Sequence, residues 1–312
     1  VLCILLVSCA HESELPLPNG IPKSDIVFMP DVAPVYSETT SKTLGFINAD
    51  GSNRLEYTFR IFGGSHSLFG ERYETQQAYY PRWLKSDDGL IFSIADPLQN
   101  TRLIDSQGRM YGESCLGFRA GATVSDFQGN ILVKIGKDDS AYQTYQNQIT
   151  PDISLIARYD LKTCDIVGTF TLPIPFESFL FDIGESNTGL FAVSYYDFQS
   201  KKNKILIYQQ KTKNYSSFLG YHPSLTDDGL LLAYYSLDGK LMILDTRTGI
   251  SKAIKAIFST SDNSASEFLF MPGWSPDQKW IVYNTQAGKI YKINIEIGKN
   301  IYLTNGWAPD WR

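Results

Sequence analysis

Three features of the sequence predict an all-β fold in which four-stranded antiparallel units close into a ring, a six-bladed β-propeller. The first is a tight turn followed by a short apolar run. Asp88-Gly89-Leu90-Ile91-Phe92-Ser93 and Asp228-Gly229-Leu230-Leu231-Leu232-Ala233 are nearly the same segment. Gln128-Gly129-Asn130-Ile131-Leu132-Val133, Thr188-Gly189-Leu190-Phe191-Ala192-Val193 and Asp277-Gln278-Lys279-Trp280-Ile281-Val282-Tyr283 are looser copies, and successive copies are 40, 60, 40 and 49 residues apart. The second is another turn at a nearly fixed distance downstream: Gly89 leads to Gly108, Gly229 to Gly249 and Gln278 to Gly298. The third is composition. Aromatic residues make up 13% of the chain, with 19 Tyr and 18 Phe, and no segment has the 3.6-residue periodicity of an amphipathic helix. A unit of about 40 residues with about four short strands cannot cover both of its own faces, so such units stack around an axis.

Taken in order, the chain opens with an apolar run from Val1 to Val7. It is too short to span a bilayer, which takes about 20 residues, and reads as the tail of a signal-peptide core over residues 1–8. The run has neither a Met start nor a basic leader, so upstream residues are expected to be missing. It closes with Leu6-Val7-Ser8-Cys9, which resembles the lipobox of bacterial lipoproteins. The resemblance implies cleavage before Cys9 and a lipid on its thiol. Residues 10–24, with three Pro and no periodicity, complete a tether over 9–24. The acyl chains would then serve as anchor in place of a membrane-spanning helix.

Residues 25–312 form the expected propeller. The segments Lys240-Leu241-Met242-Ile243-Leu244-Asp245 and Lys289-Ile290-Tyr291-Lys292-Ile293-Asn294 alternate as strands do and run into Gly-containing turns. Leu44-Gly45-Phe46-Ile47-Asn48-Ala49-Asp50-Gly51 has the same form and ends in a hairpin-favouring Asp-Gly. The two ends complete one another. Trp307-Ala308-Pro309-Asp310-Trp311 starts a repeat and stops, whereas Ile26-Val27-Phe28 and Leu44-Gly45-Phe46-Ile47 look like later strands of a blade that has no beginning. The last segment should therefore supply the innermost strand of the first blade, which removes exposed edges. The count is six blades: 25–62 with 305–312, then about 79–115, 119–172, 177–220, 221–257 and 268–304. Seven is the alternative if the long third unit hides another blade.

Pro272-Gly273-Trp274-Ser275-Pro276-Asp277-Gln278-Lys279-Trp280-Ile281-Val282-Tyr283, followed by Ile290-Tyr291, Gly298 and Leu303-Thr304, resembles the repeat of TolB-like propellers. Gln278 stands where that repeat has Gly. Other copies are degenerate: Pro81-Arg82-Trp83 keeps Pro and Trp, and Pro223-Ser224-Leu225 keeps the Pro. The resemblance implies the propeller over residues 25–312 and says little about activity. The family's namesake carries a separate N-terminal α/β domain, for which the residues before 25 leave no room.

Charge and cysteine content narrow the function. The net charge is −5, with 28 Lys and Arg against 33 Asp and Glu and no basic run. That argues against a nucleic-acid binder relying on phosphate neutralisation. Of four Cys, Cys3 and Cys9 lie in the leader, which leaves Cys115 and Cys164 in the domain. In an exported chain these two are expected to form a disulfide, with two separate buried thiols as the alternative.

No nucleophile elbow, phosphate loop, dinucleotide fingerprint, zinc helix motif or calcium loop occurs, so no cofactor and no metal site are expected. Gly63-Gly64-Ser65-His66-Ser67 puts Ser beside His in sequence, which reads as an inter-blade loop. The chain has three His: His11, His66 and His222. His222, before a predicted inner strand, suits either the axial channel or a packed blade junction. The segment from Tyr73 through Tyr79, Tyr80, Arg82 and Trp83 is rich in side chains that stack on sugars or grip peptides. Tyr196 and Phe198 lie in a segment that reads as a strand end packing blade against blade. The sequence thus predicts a lipid-anchored, non-enzymatic module outside the bacterial cytoplasm. Its partners would be the membrane and an envelope protein, peptide or glycan. The alternative is a glycan lyase or hydrolase working in the propeller channel.

Overall fold

The computed structural model describes residues 20–30, 44–57, 78–84, 89–94, 101–111, 131–135, 144, 147, 150–160, 162–163, 165–257, 271–285 and 287–312. The described residues form six antiparallel sheets in a ring, one per predicted unit, so the six-blade count holds over seven. Blade 1 holds β1 (Ile26–Met29), β2 (Leu44–Ile47), β3 (Leu55–Tyr57) and β23 (Trp307–Trp311). Blade 2 holds β4 (Ala78–Trp83), β5 (Leu90–Ile94), β6 (Thr101–Ile104) and β7 (Met110–Tyr111). Blade 3 holds β8 (Ile131–Lys134), β9 (Ser154–Asp160) and β10 (Asp165–Leu172), three strands among the described residues. Blade 4 runs through β11 (Phe179–Glu185), β12 (Leu190–Asp197), β13 (Lys202–Gln209) and β14 (Tyr215–Leu219). Blade 5 runs through β15 (Tyr221–Leu225), β16 (Leu231–Tyr235), β17 (Leu241–Asp245) and β18 (Ser251–Ala253). Blade 6 comprises β19 (Gly273–Trp274), β20 (Trp280–Asn284), β21 (Lys289–Asn294) and β22 (Asn300–Asn305).

The recurring turns have a common chemistry. At the inner hairpin of blade 6, Ser275 Oγ donates to Asp277 Oδ1 (2.6 Å) and accepts from the Trp280 N–H (3.0 Å). In blade 5, Thr226 Oγ1 donates to Asp228 (2.7 Å) and accepts from the Leu231 N–H (3.1 Å). The hydroxyl satisfies backbone donors that the hairpin leaves open. The next residue turns left-handed, with φ of +72° at Gly229, +74° at Gly189 and +58° at Gln278. The outer hairpins use a carboxylate or amide in the same way. Asp245 Oδ1 accepts from Arg247 and Thr248 N–H groups, and Asn294 Oδ1 from Glu296 and Ile297.

The core lies in the seams between blades. Ile26, Phe28 and Ile47 of blade 1 meet Val282, Ile290 and Leu303 of blade 6. Val27, Leu44 and Phe46 of blade 1 meet Trp83, Leu90, Phe92 and Ile104 of blade 2. Blades 3 and 4 share Leu132, Ile156, Ile183 and Phe191, blades 4 and 5 share Ile205, Leu232 and Tyr234, and blades 5 and 6 share Tyr235, Ile243, Ile281 and Tyr283. The strand order β23-β1-β2-β3 makes the C-terminal segment the innermost strand of blade 1. Ile26 pairs with Trp311 and Val27 with Asp310. Residues 20–24 lie against the ring: Ile21 packs on the blade 1–2 core, and Arg312 donates to the carbonyls of Ser24 (3.0 Å) and Pro22 (3.2 Å).

Candidate functional site

Inner strands line a propeller's axis, and here they carry a buried charge cluster. Arg82 is the penultimate residue of β4 and Asp310 the penultimate residue of β23. The Arg82 guanidinium lies 3.3 Å from Asp310 Oδ1 and 3.4 Å from Asp182 Oδ2 on β11. Blade 2 thus reaches blade 4 past the position of blade 3, which puts the guanidinium on the axial side of the ring. Asp310 also accepts from the Trp83 N–H (2.8 Å), tying the closing strand to blade 2. Burial pushes the Asp182 carboxyl up to about 6; Arg82 opposes that rise and Asp310 adds to it. Two carboxylates and one guanidinium sum to −1, and a proton on Asp182 neutralises the cluster. Beside it, the Arg312 guanidinium stacks 3.9 Å over the Trp83 ring.

The residues singled out from the sequence fall in three groups. Arg82 and Trp83 are buried parts of this axial cluster. Tyr79 and Tyr80 lie on β4 beside them, at a bulge between Tyr79 and Arg82. His222 is buried on β15 with φ of +52°, its ring 5.5 Å from that of Tyr221. It has a counterpart: Gly306-Trp307-Ala308-Pro309 on β23 repeats the backbone of Gly220-Tyr221-His222-Pro223, with φ of +153° and +159° at the glycines and +44° at Ala308. His222 is therefore the left-handed residue of an inner-strand bulge that precedes Pro. His tolerates that conformation better than most residues. Cys9, Tyr73, Cys115 and Cys164 lie outside the described residues, as does Ser65-His66. Among the described residues, no three His, Cys, Asp or Glu side chains gather as metal ligands do, and no helix is long and apolar enough to cross a membrane.

A second surface lies at one end of blade 4. Phe179 opens β11 and pairs with Tyr196 near the end of β12. The Phe179 and Phe181 rings are 5.1 Å apart at 63°, and the Tyr196 and Phe198 rings 5.1 Å apart at 83°. Phe179 is 48% exposed and Phe198 57%. Asp197 pins the turn that presents Phe198, accepting from Lys204 Nζ (2.7 Å), Ser200 Oγ (2.7 Å) and the Gln199 N–H (3.0 Å). The Lys204 and Ser200 bonds hold its carboxyl down at about 2. Alternation along Ser194-Tyr195-Tyr196-Asp197-Phe198 reads as a buried strand end. Tyr195 does pack in the blade 3–4 core, but Phe198 lies past the last residue of β12 and projects into solvent. Phe179 had no sequence signal, because its exposure depends on where the neighbouring blade stops.

No family model matches the chain, and no curated protein matches it. Solved structures do. The tricorn protease matches at a TM-score of 0.51 and 11% identity over 91% of this chain and 26% of that one. A chain of the mitotic checkpoint complex matches at 0.43 and 13% over 72% of this chain and 63% of that one. The β-propeller domain of Myceliophteria thermophila Cps50 (Swd1) matches at 0.43 and 12% over 70% and 66%. The chain spans less than two thirds of each of these. At such identities the likeness is one of fold alone.

Proposed function

We propose that this propeller is a non-enzymatic binding module that grips a protein or peptide partner with the aromatic end of blade 4, held at the cell envelope by a lipid on Cys9. The observation that carries the reading is the cluster of Phe179, Phe181, Tyr196 and Phe198, a built apolar surface with two half-exposed Phe rings. Monomeric surfaces seldom hold large aromatic side chains together in water without a partner. The rings stand edge to face, so the surface has notches for side chains instead of the flat platform that a sugar ring stacks on. That favours peptide over glycan. In the alternative, glycan chemistry at the axis, a carboxylate would act as acid or base; Arg82 already engages both Asp182 and Asp310.

The soluble domain, residues 20–312, should be screened on a displayed peptide library and a glycan array, with and without chelator, beside a Phe179→Ser/Phe198→Ser variant. Peptides should bind the wild type and lose at least tenfold in affinity with the variant at an unchanged melting temperature. Glycan turnover, or peptide binding indifferent to the variant, overturns the reading. For the anchor, a chain expressed with a complete leader should incorporate labelled fatty acid and lose the label with Cys9→Ala. Equal labelling would remove the lipid from the proposal.

A further inference from the structure

We infer that β14, the outer strand of blade 4, is an open edge onto which an extended acidic segment of a partner adds as a fifth strand. The inference rests on the binding-module reading and gives it a second, separable contact. Outer strands present unpaired N–H and C=O groups, and proteins usually blunt them. Four of the other outer strands are blunted. β3 carries Glu56, and β18 is three residues long and carries Lys252. β10 is interrupted by a bulge between Ile166 and Gly168, and the register of β22 on β21 shifts between Ile290 and Tyr291. β14 reads Tyr-Ser-Ser-Phe-Leu, with no charge, no Pro and an unbroken register from Lys204↔Leu219 to Tyr208↔Tyr215.

The hydrogen-bond phase shows which groups face outward. Gly220 N–H donates to Asn203 O and Gln209 N–H to Asn214 O. Antiparallel pairs alternate between bonded and non-bonded, so Ser216 and Phe218 bond to β13. Tyr215, Ser217 and Leu219 turn their backbone groups to solvent. Tyr215 and Leu219 lie on one face with Ser217 and are 61% and 43% exposed, ready to flank apolar side chains of an added strand.

Charge selects the occupant. From Phe198 to Thr226 the chain has five Lys and no Asp or Glu, in a protein of net charge −5. Exposed Lys201 in the turn and Lys202 at the start of β13 stand at one end of blade 4, and exposed Lys211 and Lys213 stand between β13 and β14 at the other. A five-residue strand spans about 17 Å, so a segment lying along β14 meets lysines at both ends. A second copy pairing antiparallel would bring Lys211 and Lys213 of one against Lys201 and Lys202 of the other, and like charges repel. A segment with acidic flanks and alternating apolar residues fits instead.

The test uses the soluble domain and two fluorescein-labelled heptapeptides, DEVTVED and KKVTVKK, followed by anisotropy at low and high salt. The acidic peptide should bind at least tenfold more tightly than the basic one. Ser217→Pro removes an outward N–H without touching the ladder to β13 and should weaken binding at least tenfold. Lys211→Glu/Lys213→Glu should do so as well, at unchanged fold, and serves if Ser217→Pro misfolds. Phe179→Ser/Phe198→Ser should leave this binding intact, so loss there alone tests the aromatic surface and not the edge. No binding of DEVTVED, equal binding of both peptides, indifference to the lysine reversal, or a wild-type dimer abolished by Ser217→Pro would each overturn the inference.

Discussion

Arg82 and Asp182, one hundred residues apart, form an ion pair at 3.4 Å whose side chains are 9% and 3% exposed. Burial raises the Asp182 carboxyl from the ordinary 3.8 to about 6, against the pull of Arg82 and with a smaller push from Asp310. A carboxyl whose folded value is raised binds its proton more tightly when folded. Its stabilising contribution is full below about pH 4 and is lost as pH rises to about 6. That rise corresponds to on the order of 3 kcal/mol. Asp182→Asn has no such loss. The melting temperature of this variant, minus that of wild type, should therefore rise between pH 4 and pH 7. A difference constant over that range would mean that Asp182 keeps its ordinary acidity.

The contrast between this cluster and the turns shows what the sequence could reveal. Gly108, Gly189, Gly229, Gly249 and Gly298 are local: each is needed where the backbone goes left-handed, and each shows as punctuation in the repeat. Blade closure was legible because the start of a repeat at Trp307 complements the later strands at Ile26 and Leu44. Arg82–Asp182 was not legible. It spans the ring, and no period relates its two residues. The exposure of Phe179 and Phe198 depends on where neighbouring strands end, and the open edge at β14 depends on which strand is outermost. Neither is written in any single segment. The Cys115–Cys164 expectation lies outside the described residues.

Gln278 occupies a position that Gly fills in the sister turns, at φ of +58°. A left-handed non-glycine residue costs about 1–2 kcal/mol, partly offset here by the bond from its side chain to Asp228. Gln278→Gly should stabilise the domain by about 0.5–1 kcal/mol, the strain relieved exceeding one half-exposed hydrogen bond. Gln278→Ala keeps the strain, loses the bond and should destabilise. Gly229→Ala should cost more, because its Cβ would lie 2.8 Å from Ser186 Oγ. Urea titrations of the three variants give the order directly, and a Gln278→Gly variant less stable than wild type would contradict it.

His222 offers a test between scaffold and ligand roles. If its left-handed bulge is what matters, Asn should replace it with a loss below about 1 kcal/mol, since Asn accepts that conformation. Val, β-branched, should lose about 2 kcal/mol or more. Peptide binding scored per folded molecule should be the same for wild type and His222→Asn. A stable His222→Asn domain that no longer binds would instead make the imidazole part of the recognition surface.

The closing strand carries the largest expected effect. Removing residues 305–312 deletes β23 and with it the ladder to β1, the Asp310 carboxylate that accepts from Trp83, and the Arg312 guanidinium that covers the Trp83 ring. It also uncovers Phe28, which is fully buried and lies so close to Gly306 that a Cβ there would meet its ring at 2.5 Å. Exposing one large apolar side chain costs about 1.5–3 kcal/mol, and β1 would become an unpaired inner edge at the axis. Arg82 would keep Asp182 as its partner, so the damage should spread from the blade 1–2 seam and not from the axis. In a domain of this size each 1 kcal/mol is worth about 2–4 °C, so the truncated domain should melt at least about 10 °C lower, in one broadened transition. A chain ending in a loosely attached strand would instead melt within a degree or two of the full domain. Supplying residues 305–312 as a separate peptide should restore part of the lost melting temperature, because the groove between β1 and β4 that receives the strand is built by residues still present.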